Sequence, residues 1–375
     1  MVAIYLIGTA QLFPLYAKGA EDRVVAQVRL GESDSYEYKN LLLGTNSQQS
    51  AYWIAGQRAR LSAPQQTQSA FLWRISSDGK LQEIDIAKSL RDFKAVDSEI
   101  TGLNVLNNGS VLFVIHGQAF SPAVVHLDAE GKTIFTKKLE DAGPPMEAKK
   151  IMASKDDGFY AIGAQGPSGV VAKFENEHLV WKKNVTTTPY KNVIDAFQDT
   201  AGGLFVVSVT YGEDGVTPSS SRITRLSSAG EVIAQVVFSG AYLSATIASD
   251  GTVIATYNRG TFEAQDVWIK EFSSKLAEIR TFQLMHGGIS YAFHSMFNPP
   301  DNLLICGTKN TSLWVAAFSL LGAKRWVVEG EEDDVFPCEQ AGLSKDGMVV
   351  VSGITKVVDK EHVLTKVGVR RLKVD

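Results

Sequence analysis

Apolar residues along this chain fall into short runs, each bounded by turn-forming residues, and no stretch sustains a 3.6-residue spacing. Runs rich in Val, Ile and Phe at strand length predict buried β-strands, because a surface helix would show polar residues between its apolar positions. The runs recur. Segments 71–75, 124–127, 171–174, 223–226, 268–272, 314–318 and 364–367 end on Ile75, Leu127, Phe174, Leu226, Phe272, Phe318 and Val367. The spacings between those ends are 52, 47, 52, 46, 46 and 49 residues. A unit of roughly fifty residues that repeats in this way signals a solenoid, propeller or array.

A second series confirms the register. Turn formers sit at residues 46–47, 107–109, 156–158, 201–203, 249–251, 300–302 and 345–347, and each is followed by a run such as 111–115, 204–207 or 348–351. Asn-Gly and Asp-Gly reach φ > 0 at little cost, so two-residue hairpin turns are expected at these points. Each unit then holds four strands, a to d, joined by a tight a–b turn, a longer b–c loop and a tight c–d turn. Unit two shows all four, at 103–106, 111–115, 124–127 and 133–138. Strand b is nearly all apolar, as expected of a sheet packed on both faces. The predicted fold is all-β, a seven-bladed β-propeller of four antiparallel strands per blade.

Residues 21–375 are read as this single domain. Residues 24–30 read as a strand that closes the ring on the last unit, whose end is placed at 370–374. Residues 1–20 stand outside the repeat. An apolar stretch at 3–15 followed by Ala17, Lys18 and Gly19 reads as a secretory signal peptide, although no Lys or Arg precedes it. The alternative is an N-terminal strand. Export predicts a periplasmic or secreted protein, and without a leader the location would be cytoplasmic. The net charge of −4 and pI near 5.9 argue against a nucleic-acid partner, which needs a concentrated basic face.

Catalytic motifs are absent: there is no nucleophile elbow, phosphate-cradling Gly-rich loop or zinc-binding helix. The six Trp residues fall on predicted strands and read as blade packing. His286 and His294 flank the segment 287–291 and read as polar loop residues, since a metal would need a third ligand from another blade. No cofactor or metal is expected. The only cysteines, Cys306 and Cys338, are expected to be two buried thiols acting as small hydrophobes. A disulfide between them is the alternative.

Loop length carries the functional expectation. The a–b and c–d turns share one face and are tight. The b–c loops (58–68, 211–221, 257–265 and 355–361) and d–a loops (87–99, 140–148, 186–191, 285–293 and 330–337) share the other face and are irregular. Variable loops on a rigid scaffold concentrate binding residues. The candidates are Arg91, Lys94, Tyr190, Tyr211, Tyr257, Arg259, Tyr291 and His294, with the acidic run Glu331, Glu332, Asp333 and Asp334. Tyr and Arg are frequent anchors of protein interfaces.

Over residues 24–374 the strand-turn pattern resembles the broad class of bacterial extracytoplasmic seven-bladed propellers. It lacks the regular Trp-Asp dipeptides of the WD repeat class and the signature of quinoprotein-like propellers. The resemblance therefore implies architecture and no quinone cofactor. Three functions are expected to compete. One is a non-catalytic protein-binding scaffold, monomeric alone, with an inhibitor or immunity protein of a secreted toxin or enzyme as its specific version. Another is a hydrolase or lyase acting at the central channel. The third, a lectin-like propeller, is disfavoured by the unequal loops.

Overall fold

A computed structural model of the chain describes residues 24–372 apart from 34–35, 47, 50, 61–67, 90–97, 118–119, 140–145, 157, 187–191, 200–201, 212–217, 262–263, 286–289, 299–301, 310–311, 331–337, 346–348 and 360–361. The expected leader lies outside the described residues. β1 (Val24–Ser33) is followed by six complete sheets. Blade 1 holds β2 (Tyr36–Gly44), β3 (Tyr52–Arg60), β4 (Gln68–Ile75) and β5 (Leu81–Glu83), and a short helix α1 (Ile86–Ser89) follows it. Blade 2 holds β6 (Ser98–Val105), β7 (Val111–Gly117), β8 (Phe120–Leu127) and β9 (Thr133–Lys138). Blade 3 holds β10 (Glu147–Ala153), β11 (Phe159–Gln165), β12 (Ser168–Glu175) and β13 (His178–Asn184). Blade 4 holds β14 (Asn192–Gln198), β15 (Leu204–Tyr211), β16 (Pro218–Leu226) and β17 (Val232–Ser239). Blade 5 holds β18 (Ala241–Ile247), β19 (Val253–Thr261), β20 (Ala264–Phe272) and β21 (Glu278–Met285). Blade 6 holds β22 (Ser290–Asn298), β23 (Asn302–Lys309), β24 (Ser312–Ser319) and β25 (Lys324–Glu329). Blade 7 combines β26 (Gln340–Leu343), β27 (Val349–Asp359) and β28 (His362–Leu372) with β1 as its fourth strand.

The molecule is a seven-bladed β-propeller, as its repeat predicts. Every sheet is antiparallel, and strand a of each blade touches strand a of the next until β26 meets β2 and the ring closes. The core is not one mass. It is a set of seams, each buried between two neighbouring blades. Phe71 and Trp73 of blade 1 meet Val350, Val367 and Val369 of blade 7, while Phe205 and Phe238 of blade 4 meet Tyr257 and Phe272 of blade 5. Strand b reads as continuously apolar because its two faces belong to two different seams: Trp53 and Ala55 face blade 2, whereas Tyr52 and Ile54 face blade 7. All six Trp residues lie on strands. No helix among the described residues is long and apolar enough to cross a membrane.

The turn face is locked by side chains that reach the c–d turn of the next blade. Trp181 Nε1 donates to the Ser228 carbonyl at 2.9 Å, Arg225 to Ser274 at 2.8 Å and Arg371 to Ser77 at 3.2 Å. Arg280 makes the same reach from blade 5 to the Leu320 carbonyl. The c–d turn of blade 3 keeps the two-residue form expected, with Asn176 and Glu177 at φ 45° and 64°, but others differ from it. Leu106 N bonds Ser110 O at 2.8 Å and Gly109 N bonds Leu106 O at 2.9 Å, and Asp128, Gly131 and Lys132 repeat the pattern. Three residues form the loop, and Gly109 at φ 84° and Gly131 at φ 89° take its left-handed third position.

Three further expectations are corrected. Strand c of the last blade does not end at Val367: β28 runs on to Leu372, which sits opposite Val349 as Leu226 sits opposite Leu204. The end was misplaced because the fourth strand comes from the N-terminus, so segment 370–372 is strand c and not a strand d. Segments 257–265 and 355–361 are not long loops, since β19–β20 and β27–β28 keep pairing to Thr261/Ala264 and Asp359/His362. Finally, Cys306 and Cys338 form a disulfide across blades 6 and 7, with their Cα atoms 5.5 Å apart. The free-thiol reading failed because the span between them gave no view of strands β23 and β26 lying side by side.

Two outcomes follow from these seams. Converting Cys306 and Cys338 to Ala is expected to lower stability by about 3–4 kcal/mol by loop-closure entropy, measured by denaturant unfolding. An unchanged midpoint contradicts this. In the blade 7–blade 1 seam, Tyr52 is buried with no partner for its hydroxyl among the described residues, and burial pushes its pKa up to about 12 against the opposing pull of Arg371. An unfolded tyrosine ionises near pH 10, so the folded state holds this proton across roughly pH 10–12 and loses roughly 2–3 kcal/mol as pH rises through that window. Tyr52→Phe is expected to leave neutral-pH stability intact and to flatten this alkaline loss in pH-dependent unfolding.

Candidate functional site

Strand a lines the central channel, and its backbone is irregular at a place that recurs from blade to blade. Register shifts fall between Ile100 and Gly102, Ala148 and Lys150, Val193 and Asp195, Tyr242 and Ser244, and Ala292 and His294. Blade 1 has a similar shift between Lys39 and Leu42. A bulge of this kind turns an extra side chain away from the ladder and frees a backbone group. In β10 the freed group is the Ala148 carbonyl, which accepts from Thr101 Oγ1 at 2.6 Å and from the His116 ring nitrogen at 2.8 Å, both on blade 2. Burial holds the His116 pKa below its usual value, which suits a neutral ring donating to that carbonyl.

The bulges surround a cavity of about 340 Å³ at the channel end where the d–a loops enter. Its apolar wall includes Leu42, Leu103, Ile194 and Leu243, and its polar wall includes Lys149, Lys150, Asp195, Tyr242 and Gln340. Three of these residues, one from each of three consecutive blades, form a chain. Lys150 of blade 3 pairs with Asp195 of blade 4, and the Tyr242 hydroxyl of blade 5 donates to the same carboxylate. The Ala196 amide donates to Asp195 at 2.8 Å. Burial, and then the adjacent Asp195 charge, raises the Tyr242 pKa well above its usual range, so Tyr242 is a proton-bearing donor at neutral pH. On the opposite wall Gln340 of blade 7 accepts from the Leu43 amide of blade 1 at 2.7 Å.

The second polar concentration lies on the seam between blades 4 and 5. Tyr242, Tyr257 and Trp268 stand opposite one another across strands a, b and c of blade 5. Arg259 is exposed above them, with its guanidinium 5.3 Å from the Tyr257 ring and 5.1 Å from the Trp268 ring. It also donates to Ser239 Oγ of blade 4 at 3.1 Å. Tyr211, at the end of β15, packs partly buried in the same seam. The structure thus brings Tyr211, Tyr257 and Arg259 together, as no reading of separate loops could.

Their roles differ from those expected. Tyr257 is 0% exposed and sits in mid-strand, so it supports Arg259 and cannot itself meet a partner. Its place on β19 was missed because the hairpin continues well past the core. Tyr291 and His294 lie on β22, not in a loop, and His294 holds the backbone position opposite Cys306 that Asp195 holds opposite Val207. Arg91, Lys94, Tyr190, Glu331, Glu332, Asp333 and Asp334 lie outside the described residues. Sequence reasoning missed Lys150, Asp195 and Tyr242. The signal was present in the repeat: Lys150 and Asp195 each stand nine residues before the start of strand b, at Phe159 and Leu204.

No protein-family model and no curated protein matches the chain. Solved structures do. The WD40 domain of Toxoplasma gondii coronin superposes with a TM-score of 0.50 at 13% identity, covering 89% of this chain and 85% of that one. A prolyl endopeptidase superposes with a TM-score of 0.51 at 11% identity, covering 85% of this chain and 45% of that one. Drosophila plexin A, solved in complex with semaphorin 1b, gives 0.48 at 10% identity over 92% of this chain and 87% of that one. At these identities the likeness is one of fold alone.

Asp195→Ala is expected to cost about 1–3 kcal/mol, because it strands the buried Tyr242 hydroxyl. Lys150→Ala is expected to cost less, since Lys150 remains 35% exposed and its pairing is partly screened. Thermal unfolding of the two variants orders them. Equal losses contradict the assignment of Asp195 as the hub.

Proposed function

We propose that this propeller is a non-catalytic scaffold of the cell envelope that binds another protein through its b–c and d–a loop face. The observation that carries the reading is Arg259, an exposed cation held in place by two aromatic rings and the Ser239 hydroxyl. A guanidinium fixed in this way gives up little side-chain freedom on binding, which is the character of an interface anchor. Tyr211, in the same seam, supplies partly buried aromatic surface. The disulfide between Cys306 and Cys338 supports an oxidising compartment, as does the apolar segment at the N-terminus. The inhibitor or immunity version of this reading rests on the acidic run Glu331, Glu332, Asp333 and Asp334, which would suit a basic enzyme surface.

A second reading, a hydrolase or lyase, is favoured by the channel mouth, where Lys150, Asp195 and Tyr242 line a cavity of about 340 Å³. It ranks second because the carboxylate already accepts from Lys150, Tyr242 and the Ala196 amide, an arrangement that joins three blades. The deciding experiment is affinity capture from the native host's envelope fraction, comparing the wild-type chain with Tyr211→Ala/Arg259→Ala. The expected outcome is one stoichiometric partner, retained at least about tenfold less well by the variant, as befits loss of an anchor residue. No partner, or a partner held equally by both proteins, contradicts the reading.

A further inference from the structure

The outermost strand of each blade presents an unpaired edge, and the ring protects most of these edges with charge. β9 carries Lys137 and Lys138, and β13 carries Lys182 and Lys183. β21 carries Glu278 and Arg280, and β25 carries Lys324, Arg325 and Glu329. β5 is only three residues long and ends in Glu83. Charged side chains and short strands are the usual defences against edge-to-edge pairing. β17 has neither. Its eight residues, VIAQVVFS, include no charge and no proline.

Exposure of a single apolar residue does not set β17 apart. A bulge recurs on these outer strands, and the extra residue it turns outward is apolar on four consecutive blades: Ile134 is 54% exposed, Val180 49%, Ile233 54% and Ile279 55%. β17 adds Val232 at 44% and Val237 at 50%, so three β-branched side chains on one neutral strand face solvent. Among the described residues no connecting loop covers it either. β17 passes into β18 through Gly240 alone, at φ 123°, where a Cβ would stand 2.5 Å from the Tyr257 ring.

We propose that β17 is a self-association edge, pairing with β17 of a second copy of this chain across a twofold axis. A neutral edge is its own electrostatic complement, so the partner it selects is an identical strand. Beyond the bulge at Ile233, residues Ala234–Ser239 keep regular register with β16 and offer a continuous row of backbone groups to the copy. Pairing would extend blade 4 from four strands to an eight-stranded sheet through the dimer and shield Val232, Ile233 and Val237. It leaves the channel mouth of both copies open, so it is independent of the binding role proposed above.

Sedimentation velocity of the full chain over a concentration series tests this. Wild type is expected to show a reversible dimer. Ile233→Lys and Val237→Lys should be monomeric at the concentration where wild type is half dimeric. Ile134→Lys and Ile279→Lys, on the equivalent strands of blades 2 and 5, should dimerise as wild type does. A wild-type chain that stays monomeric, a dimer that survives both β17 substitutions, or one weakened equally by all four, overturns the proposal. Should a lysine variant fail to fold, hydrogen exchange of the wild type decides: β17 amides must become protected as concentration rises, and concentration-independent exchange overturns the proposal.

Discussion

A ring of sheets holds only if its first and last strands meet. Here that junction is the pairing of β1 with β28, strands some 330 residues apart along the chain, from Val24↔Leu372 to Ser33↔Thr365. Each blade buries its two faces against neighbours, so a gap at any one place would expose both apolar faces of a seam at once. Blade 7 sits at that gap and is reinforced accordingly. Gln340 reaches Leu43 of blade 1 on one side, and the Cys306–Cys338 bond holds blade 6 on the other. Covalent and non-covalent closure thus fall on the single blade assembled from both ends of the chain.

Everything the channel can do follows from how strand a meets this ring. Inner strands crowd together near the axis, and the bulges relieve the ladder there while turning side chains inward. The freed Ala148 carbonyl is claimed by Thr101 and His116, and the inward Asp195 is claimed by Lys150 and Tyr242. Polar groups near the axis are therefore spent mainly on joining blades. At the far radius the same logic runs in reverse. There the outer bulges expose single Ile or Val side chains, and charge on the strand decides whether the edge is guarded.

The repeat made the fold legible because strand b and its preceding turn are constrained in every blade by burial on two faces. Strands at 111–115, 124–127 and 133–138 lie within β7 to β9, and 103–106 overlaps the end of β6 (Ser98–Val105). Legibility failed where a local pattern had two readings. Val367 and Leu372 are both apolar ends of a strand, and only the borrowed β1 decides between them. Arg259 and Tyr257 have the polar, turn-flanked appearance of loop residues, yet they extend a hairpin. The channel residues were hidden for a different reason: Lys150, Asp195 and Tyr242 form one group only after three blades are placed around an axis. The pairing of Cys306 with Cys338 was hidden in the same way.

Native-state hydrogen exchange, read on peptides across β1, β28 and β27, tests ring closure most directly. If β1 closes the ring, its amides exchange at the same slow, globally cooperative rate as those of β28. If β1 exchanges at the rate of a free chain end while β28 and β27 stay protected, the ring stands without its first strand and the account of closure is wrong.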